Sequence, residues 1–276
     1  MNKISILLAV VFMLLTACNT PEAELPSTTV VQHNTIFTTN PLFLNGKVKS
    51  VEYRTYWPVE NNELIEKGEL MTIEERDSIG FSYDFIAYFN EVGLIERVET
   101  VDGDKVLSYW DTEYEGKIIY TDKQYRNDTI RSVHKYIYDD NLQLKEVENY
   151  GSDINTLINR YEINTNDDGF MTEVKVITVN DEFFGRYTFN LDENNRYIEQ
   201  KNYNNSDSLI YHKKGIYNDK GFAESWEILV SYNSAGDKFK YEYTEYDEKG
   251  NWTKMNYYNN GELKSVEVIV LEYYEN

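Results

Sequence analysis

Turn signals recur through this chain at a regular interval, and that rhythm limits the possible folds more than any other feature of the sequence. One class of turn reads aromatic or aliphatic residue, Asn or Asp, two further residues, then Gly or Asn. Clear copies are Phe89–Gly93, Leu191–Asn195, Tyr217–Gly221 and Tyr246–Gly250, and degenerate copies are Tyr114–Gly116, Tyr138–Asn141 and Asn166–Gly169. The last residues of successive copies are 23 to 29 positions apart. A period of this length predicts one supersecondary unit repeated along the chain.

A second class of tighter turns lies between the members of the first. Its members are Asp102–Gly103, Asn127–Asp128, Gly151–Asp153, Asn180–Asp181, Asn205–Asp207, Ser234–Gly236 and Asn260–Gly261. Asp-Gly and Asn-Gly are strong hairpin signals, because both central residues of a type I′ turn need a positive φ. Together the two classes predict that the chain reverses direction every 10 to 17 residues.

The segments between the turns favour strands over helices. Residues 170–179 are rich in β-branched side chains, and Val266, Val268 and Val270 would share one face of a strand. We therefore predict an all-β fold: an antiparallel meander of repeated hairpins of about 26 residues that form an extended curved sheet. A β-propeller is the alternative, since two such units approach the length of a four-stranded blade. A transmembrane barrel is disfavoured because Lys and Glu interrupt both faces of the strands.

The distribution of proline agrees with a long sheet. The four prolines are Pro21, Pro26, Pro41 and Pro58, and the 218 residues that follow contain none. Proline cannot donate to a β-ladder, so a continuous sheet excludes it. Long helices would exclude proline as well, so this feature only supports the turn pattern.

Some of the turns resemble known repeats. Tyr246–Trp252 and Tyr217–Gly221 resemble the tyrosine-aspartate (YD, or RHS-type) β-repeat, and Tyr257–Gly261 is similar to MORN-type repeats. Gly46–Val51 resembles the first strand of lipoproteins that carry such repeats. The likeness covers roughly residues 85 to 276. It implies hairpins stacked into a continuous curved sheet and transfers no catalytic residue.

The amino terminus has the features of an export signal. Lys3 is followed by an apolar run, Ile4–Leu15, which is too short to cross a hydrocarbon core that needs about 20 residues. Leu15–Cys18 resembles the lipobox of bacterial lipoproteins, so residues 1–17 are predicted to be a signal peptide. An ordinary secretory cleavage site with an incidental cysteine is the alternative.

The lipobox resemblance implies that Cys18 becomes the first mature residue and carries three acyl chains. Cys18 is the only cysteine, so it has no disulfide partner in its own chain. Asn19 stands where some bacteria use Asp to retain lipoproteins at the inner membrane, and the resemblance therefore favours the outer membrane. Residues 18–41 are predicted to form the lipidated cysteine and a flexible linker, and residues 42–276 a β-repeat domain.

Charge and motifs exclude several functions. The formal net charge of −21 disfavours nucleic acid as a partner. His33, His134 and His212 lie far apart without metal-ligand spacing, so we predict no metal, cofactor or catalytic residue. The Asx-rich turns at Asp139–Asn141 and Asn166–Gly169 could bind calcium, but turn formation explains them equally well.

Two further site predictions remain. Trp110, Trp226 and Trp252, together with Trp57, could stack on sugars, although core packing explains them better. Trp226 and Trp252 follow their turn glycines by five and two residues, which predicts opposite faces of an ideal strand. Ser78, Thr129 and Ser208 lie in Asp-Ser/Thr-aliphatic triplets that resemble bacterial O-glycosylation acceptors, a pattern that chance also produces.

These observations predict a non-enzymatic envelope protein, tethered to the membrane by lipid, whose repeated surface binds another protein or a glycan. One alternative is a glycan-processing enzyme that uses paired carboxylates. Another is an immunity or toxin-associated protein, which only the repeat resemblance implies.

Overall fold

A computed structural model gives the structure of the chain. The described residues are 28–31, 42–61, 64–79, 84–115, 118–153, 155–232 and 234–275. The predicted signal peptide, Cys18, His33 and most of the predicted linker lie outside them.

The described residues form nineteen strands and one short helix. The elements are β1 (Thr28–Val31), β2 (Leu42–Asn45), β3 (Val48–Asn61), β4 (Leu64–Leu70), α1 (Ile73–Ser78), β5 (Asp84–Phe89), β6 (Ile95–Asp102), β7 (Lys105–Glu115), β8 (Ile118–Arg126), β9 (Thr129–Tyr138), β10 (Leu144–Tyr150), β11 (Leu157–Thr165), β12 (Met171–Thr178), β13 (Phe183–Leu191), β14 (Tyr197–Asn204), β15 (Leu209–Tyr217), β16 (Ala223–Val230), β17 (Lys238–Tyr246), β18 (Trp252–Asn259) and β19 (Glu262–Tyr273). The all-β meander predicted from the sequence is confirmed.

The sheet closes on itself. Within the described residues, β3 and β5 to β19 form a ring of 16 antiparallel strands. The strand β4 lies outside that ring and pairs with the second half of β3, from Tyr56 to Asn61. The expected extended curved sheet and the alternative propeller are therefore wrong. The ring closes where β19 pairs with β3, from Val266 opposite Tyr56 to Tyr273 opposite Val48. Beyond that ladder, the Tyr274 amide donates to the Lys47 carbonyl at 2.9 Å.

Bulges explain why the sheet curves enough to close. Most hairpins contain a one-residue register shift beside a turn, as between Gln124 and Tyr125 or between Asn190 and Leu191. A bulge bends its strand and increases the local twist. Repeated around the sheet, bulges supply the curvature that a closed barrel requires. The turn pattern in the sequence does not reveal these shifts.

The turns of the first class lie at one end of the barrel, which we call the first rim. In six of these turns the Asx side chain Oδ1 accepts the backbone N–H groups two and four residues ahead, at 2.9 to 3.2 Å; the residues are Asn90, Asp139, Asn166, Asp192, Asn218 and Asp247. The residue three positions after the Asx residue has a left-handed backbone, with φ of 82° at Gly93 and 83° at Gly250. The predicted turn at Tyr138–Asn141 is displaced by one residue, because Leu142 is its left-handed position.

Tyrosines hold the hairpins together at the first rim. The hydroxyl groups of Tyr114, Tyr138, Tyr217 and Tyr243 donate to the carbonyls of Ile95, Ile119, Tyr197 and Ala223, at 2.6 to 3.1 Å. Each bond joins two neighbouring strands near the open end of their hairpin. Three of these tyrosines are the aromatic residue that opens a repeat. The aromatic position of the repeat therefore has a hydrogen-bonding role as well as a packing role.

The tight turns form the opposite end of the barrel, the second rim. Asn127 and Asp128 both have positive φ, of 50° and 54°, and so do Asn260 and Gly261, at 52° and 83°. Both pairs have the backbone signs that the type I′ prediction requires.

Side chains alternate between the barrel interior and a charged outer wall. Two buried clusters line the interior, one on β7 to β14 and the other mainly on β18, β19, β3, β5 and β6. Outside, ion pairs lie along the wall and its turns: Arg97 binds Asp111 on the neighbouring strand at 2.6 Å, and Arg186 binds Asp207 in a turn at 2.8 Å. These charges interrupt any continuous apolar outer band of the kind that membrane barrels present to lipid, although exposed apolar residues such as Ile158 and Ile216 lie among them.

We expect Gly215→Ala to destabilise the barrel, because Gly215 lies directly beneath a tryptophan ring. A Cβ at this position would lie 2.5 Å from the Trp226 ring, which is 3% exposed. Overpacking of this kind costs about 1 to 3 kcal/mol. Denaturant unfolding followed by circular dichroism measures the loss. Gly151→Ala is the matched control, since its Cβ would meet only Ile158 Cδ1, at 3.6 Å; equal midpoints for the two variants would contradict the expectation.

Candidate functional site

The interior of the barrel is divided along its axis. Toward the first rim it is filled by apolar and aromatic side chains, such as Leu44, Phe89, Leu144, Ile163 and Phe222, which are at most 7% exposed. Toward the second rim many inward-facing positions are polar, although Val101, Ile228 and Tyr257 are also buried there. The first-rim half is therefore packed shut, and the polar half is the candidate functional site.

Uncharged hydrogen-bonding side chains line the second-rim half, and we call them the polar belt. They face one another across neighbouring strands: Thr100 pairs with Ser108, Gln124 with Ser132, Asn149 with Asn159, Asn159 with Thr178, and Asn202 with Tyr211. Thr100 and Asn149 are buried and the others are half-buried. None is ionisable near neutral pH, in a chain with 27 basic and 48 acidic residues.

A buried aspartate and histidine adjoin the polar belt. Asp122 on β8 lies opposite His134 on β9, and its Oδ1 is 2.9 Å from His134 Nδ1. The Tyr136 hydroxyl donates to the other Asp122 oxygen at 2.5 Å, and the Trp110 ring stacks on the imidazole at 5.3 Å between centroids. His134 has no exposed surface. The imidazole is therefore fixed from several sides, with Nδ1 turned to the carboxylate.

Three adjacent strands each present a buried polar atom with no hydrogen-bond partner among the described residues. These atoms are His134 Nε2, Asn149 Oδ1 and Asn159 Oδ1. The three residues are consecutive across the sheet, because Asn149 pairs with both His134 and Asn159. An unsatisfied buried polar atom costs about 1 to 3 kcal/mol, so these three atoms are an unfavourable feature of the interior, and all three are shielded from solvent.

A lysine lies inside the barrel beside the polar belt, with its Nζ 5.9 Å from the centre of the Tyr211 ring. Burial lowers the pKa of Lys213 to about 7, and its Nζ lies 5.2 Å from the centre of the Trp226 ring. Lys213 pairs with Gln200, whose amide donates to Asn202 Oδ1 at 2.8 Å. This side chain is therefore only partly protonated near neutral pH.

Two buried carboxyl groups lie near the end of the ladder that joins β3 to β5: Glu267 on β19 and Asp84 at the start of β5. Burial raises the pKa of Glu267 to about 8, although hydrogen bonds from Tyr53 and Ser265 act in the opposite direction. Burial also raises the pKa of Asp84 to about 6 despite Arg76, whose Nη1 is 3.0 Å away. Both carboxyl groups are 0% exposed, so a substrate cannot contact them in this conformation.

The tryptophans predicted as sugar platforms lie in the interior. Trp110, Trp226 and Trp252 are buried, whereas Trp57 is 36% exposed. Trp252 packs edge-on against Tyr53 and at a tilt against Tyr243 inside the barrel, so the expectation of opposite faces for Trp226 and Trp252 is wrong. Register shifts in β17 and β18, next to Trp252, break the ideal alternation on which that expectation depended.

The remaining predicted positions are on the surface. Ser78 ends α1, Thr129 begins β9 and Ser208 lies in a second-rim turn, and all three are exposed. Their glycosylation stays a prediction. His212 is on the outer wall, 2.7 Å from Glu199. Burial alone would raise the pKa of Glu199, but hydrogen bonds from His212 and two lysines outweigh it and lower that pKa to about 2.

The turns considered for calcium are occupied by their own backbone. Asp139 and Asn166 use Oδ1 to accept two N–H groups each. In the part of the chain that the structure describes, no group of three or more His, Cys, Asp or Glu is arranged to hold a metal ion. Within the same residues we find no helix with the length and apolar character needed to cross a bilayer.

Neither a protein-family model nor a curated protein matches the chain. Among solved structures, a porin-like protein from Bacteroides uniformis ATCC 8492 is similar with a TM-score of 0.49 and 10% identity, over 82% of this chain and 96% of that one. A porin-like protein from Bacteroides vulgatus ATCC 8482 gives 0.25 and 13%, over 82% and 98%. The Photorhabdus luminescens Tc holotoxin pore gives 0.27 and 11%, over 84% of this chain and only 14% of that one.

The strand pairing, rather than these distant similarities, defines the class of protein. The chain is a closed antiparallel barrel with a charged outer wall. Its interior is apolar at one end and polar at the other.

We expect Glu267→Gln to remove a pH dependence of stability. Glu267 keeps its proton in the folded barrel up to about pH 8, whereas its ordinary pKa is 4.5. The folded state therefore binds more protons between these values, and stability falls as the pH rises from 4.5 to 8. Glutamine still accepts from Tyr53 but cannot ionise, so the variant should be more stable at pH 8 by on the order of a few kcal/mol and equal near pH 4.5.

Thermal unfolding of the wild type and the variant across this pH range measures the effect. Glu272→Gln, at an exposed position of the same strand, is the control. Parallel stability curves for wild type and Glu267→Gln would show that the buried carboxyl is ionised in the folded state.

Proposed function

We propose that this chain is a lipid-anchored, non-enzymatic binding protein of the bacterial cell envelope, with its ligand site in the second-rim half of the barrel. The observation that carries this proposal is the polar belt. Uncharged hydrogen-bonding side chains occupy inward-facing positions on strand after strand at one end of the barrel only. Concave sites with a few convergent polar groups are where small ligands bind.

The two faces of the wall support the same proposal. The outer face is covered by ion pairs such as Arg97–Asp111, which suit contact with water. The inner face toward the first rim is filled by buried side chains. A ligand therefore has one route to the polar belt, through the second rim.

The place where the chain joins the barrel indicates which rim would face the membrane. At the end of β2, Asn45 and the fully buried Asn251 exchange hydrogen bonds of 2.6 and 3.0 Å. Asn251 belongs to a first-rim turn. A linker that leads from Cys18 to β2 therefore reaches the first rim, which would leave the second rim facing away from the membrane.

No specific contact favours the alternatives. A glycan-processing enzyme would need carboxyl groups within reach of substrate, and Glu267 and Asp84 have no exposed surface. An immunity or toxin-associated role still depends on the repeat resemblance alone.

The anchor can be tested by mass spectrometry of the protein purified from membranes. We expect a mature amino terminus at Cys18 that carries a diacylglyceryl group and an amide-linked acyl chain, because stable anchoring needs more than one chain. Cys18→Ser should keep residues 1–17 and carry no lipid. An unmodified Cys18, or a mature terminus elsewhere, would contradict lipid anchoring and leave the barrel site unaffected.

Binding through the second rim can be tested by filling it. Ser132 faces the interior and is half-buried, while its neighbour Arg131 is exposed on the outer wall. Neutral oligosaccharides, acidic oligosaccharides and peptides are screened for those that raise the melting temperature of the full chain in detergent. We expect Ser132→Trp to abolish the shift by steric exclusion and Arg131→Trp to retain it. Equal shifts in both variants, or no shift with any compound, would overturn the proposed site.

A further inference from the structure

One part of the chain departs from the regular hairpins. Between β3 and β5 the chain forms β4 and the short helix α1, and we call residues 64–79, which include both, the strap. The strap meets the barrel at the second rim, because it contacts Asp84, which begins β5, and Val101 and Asp102, which end β6. β4 pairs with β3 from Tyr56 onward, where the pairing of β19 with β3 ends. The strap is therefore an addition to the ring of strands and not a member of it.

Few contacts bury the strap. Of its residues, all of which the structure describes, only Met71 and Arg76 are buried. Beyond the β4 ladder, the Met71 N–H donates to the Thr55 carbonyl at 2.9 Å. The cap of α1 lies within the strap: Thr72 Oγ1 accepts from the Glu75 N–H at 3.3 Å, and Glu75 Oε2 accepts from the Thr72 N–H at 2.7 Å. Segments with few buried contacts are the ones that open locally while the rest of a protein stays folded.

Arg76 supplies the main side-chain attachment of the strap to the ring. Its Nη1 donates to Asp84 Oδ2 at 3.0 Å, and its Nη2 lies 3.5 Å from Asp102 Oδ1. Arg76 is 1% exposed and Asp84 is 0% exposed. Removing one partner of a buried ion pair is strongly destabilising, because the other charge is left buried alone. The position of the strap therefore depends on this one side chain.

The attachment leaves polar groups of Arg76 poorly satisfied. Its Nε is buried and has no hydrogen-bond partner among the described residues, and the more distant carboxylate, Asp102, is 33% exposed. Burial raises the pKa of Asp84, and Arg76 and, to a smaller extent, Arg54 on β3 oppose that shift. When the strap moves away, Arg54 remains beside Asp84 and water can reach the carboxylate. Opening therefore does not leave an isolated charge in the interior.

We propose that the strap is a movable section of the second rim, which opens as one unit while the ring of strands stays closed, and that the Arg76–Asp84 ion pair holds it shut. That opening widens the entrance to the barrel interior rests on the proposed function. The motion itself does not, because it follows from the contacts of the strap alone.

Native-state hydrogen exchange of the full chain in detergent, measured by mass spectrometry of its peptides, tests this motion. We expect the amides of residues 64–79 to exchange at denaturant concentrations that leave β12 and β13 protected. Arg76→Met keeps the length of the side chain and removes its charge, so it should speed exchange throughout the strap about tenfold or more. Arg97→Met, which removes the outer-wall ion pair with Asp111, is the matched control and should leave exchange in the strap unchanged.

A variant at an exposed position tests whether the strap moves as one unit even if Arg76→Met fails to fold. Thr72→Ala removes the helix cap and should speed exchange about fivefold in β4 as well as in α1. Thr129→Ala, at an exposed threonine that begins β9, is its control.

Three results would overturn the proposal: exchange of the strap only when the ring unfolds, a response to Thr72→Ala confined to α1, or equal acceleration of strap and ring by Arg76→Met. Each would show that residues 64–79 do not open as a separate unit. None would affect the comparison of Ser132→Trp with Arg131→Trp, so failure of the strap and failure of the proposed function are distinguishable.

Discussion

The pairing of β19 with β3 is the interaction on which the rest of the structure depends. Other pairs in the ring are formed by strands that are close in sequence, most of them joined by short hairpin turns, whereas this pair brings together residues more than 200 positions apart, such as Val266 and Tyr56. Without it the meander would have two free edges, and the inner faces of its strands would be open to water. Closing so long a loop is entropically unfavourable, but the cost grows only with the logarithm of loop length. Burial of the two apolar clusters is available to offset it.

Closure also gives each strand two different environments. Because successive side chains point to opposite faces, one strand supplies an ion pair to the outer wall and a packed or hydrogen-bonding group to the interior. On β11, for example, Arg160 binds Asp181 at 2.5 Å outside, while Asn159 and Tyr161 face inward. The large negative charge of the chain is therefore confined mainly to the wall and the turns. This separation leaves the polar belt itself without carboxylates, and Lys213 lies beside it.

The hairpins could be read from the sequence because turns are local. At the turn Asn218–Gly221, the Asn218 side chain accepts two backbone N–H groups and Gly221 adopts a positive φ. Both causes of the reversal therefore lie within the turn itself, and the structure forms the turn there. The site could not be read in the same way, because it depends on bulges. A turn at Asn127–Asp128 with ideal register would place Asp122 opposite Val133. The shift between Gln124 and Tyr125 places it opposite His134 instead. A displacement of one residue therefore decides whether a carboxylate meets an imidazole. Closure was missed for a similar reason, since nothing within β3 or β19 alone states that the two strands pair.

The contact between Tyr274 and Lys47 means that the strand order of the barrel begins and ends at the same place. At this one place in the ring, β19 and β3 are neighbours without a hairpin turn to join them. In a closed ring of strands, no hairpin has a terminal position. The connectivity is that of a circle cut once at the first rim, and the order in which the gene encodes the hairpins is one of several that would trace the same wall.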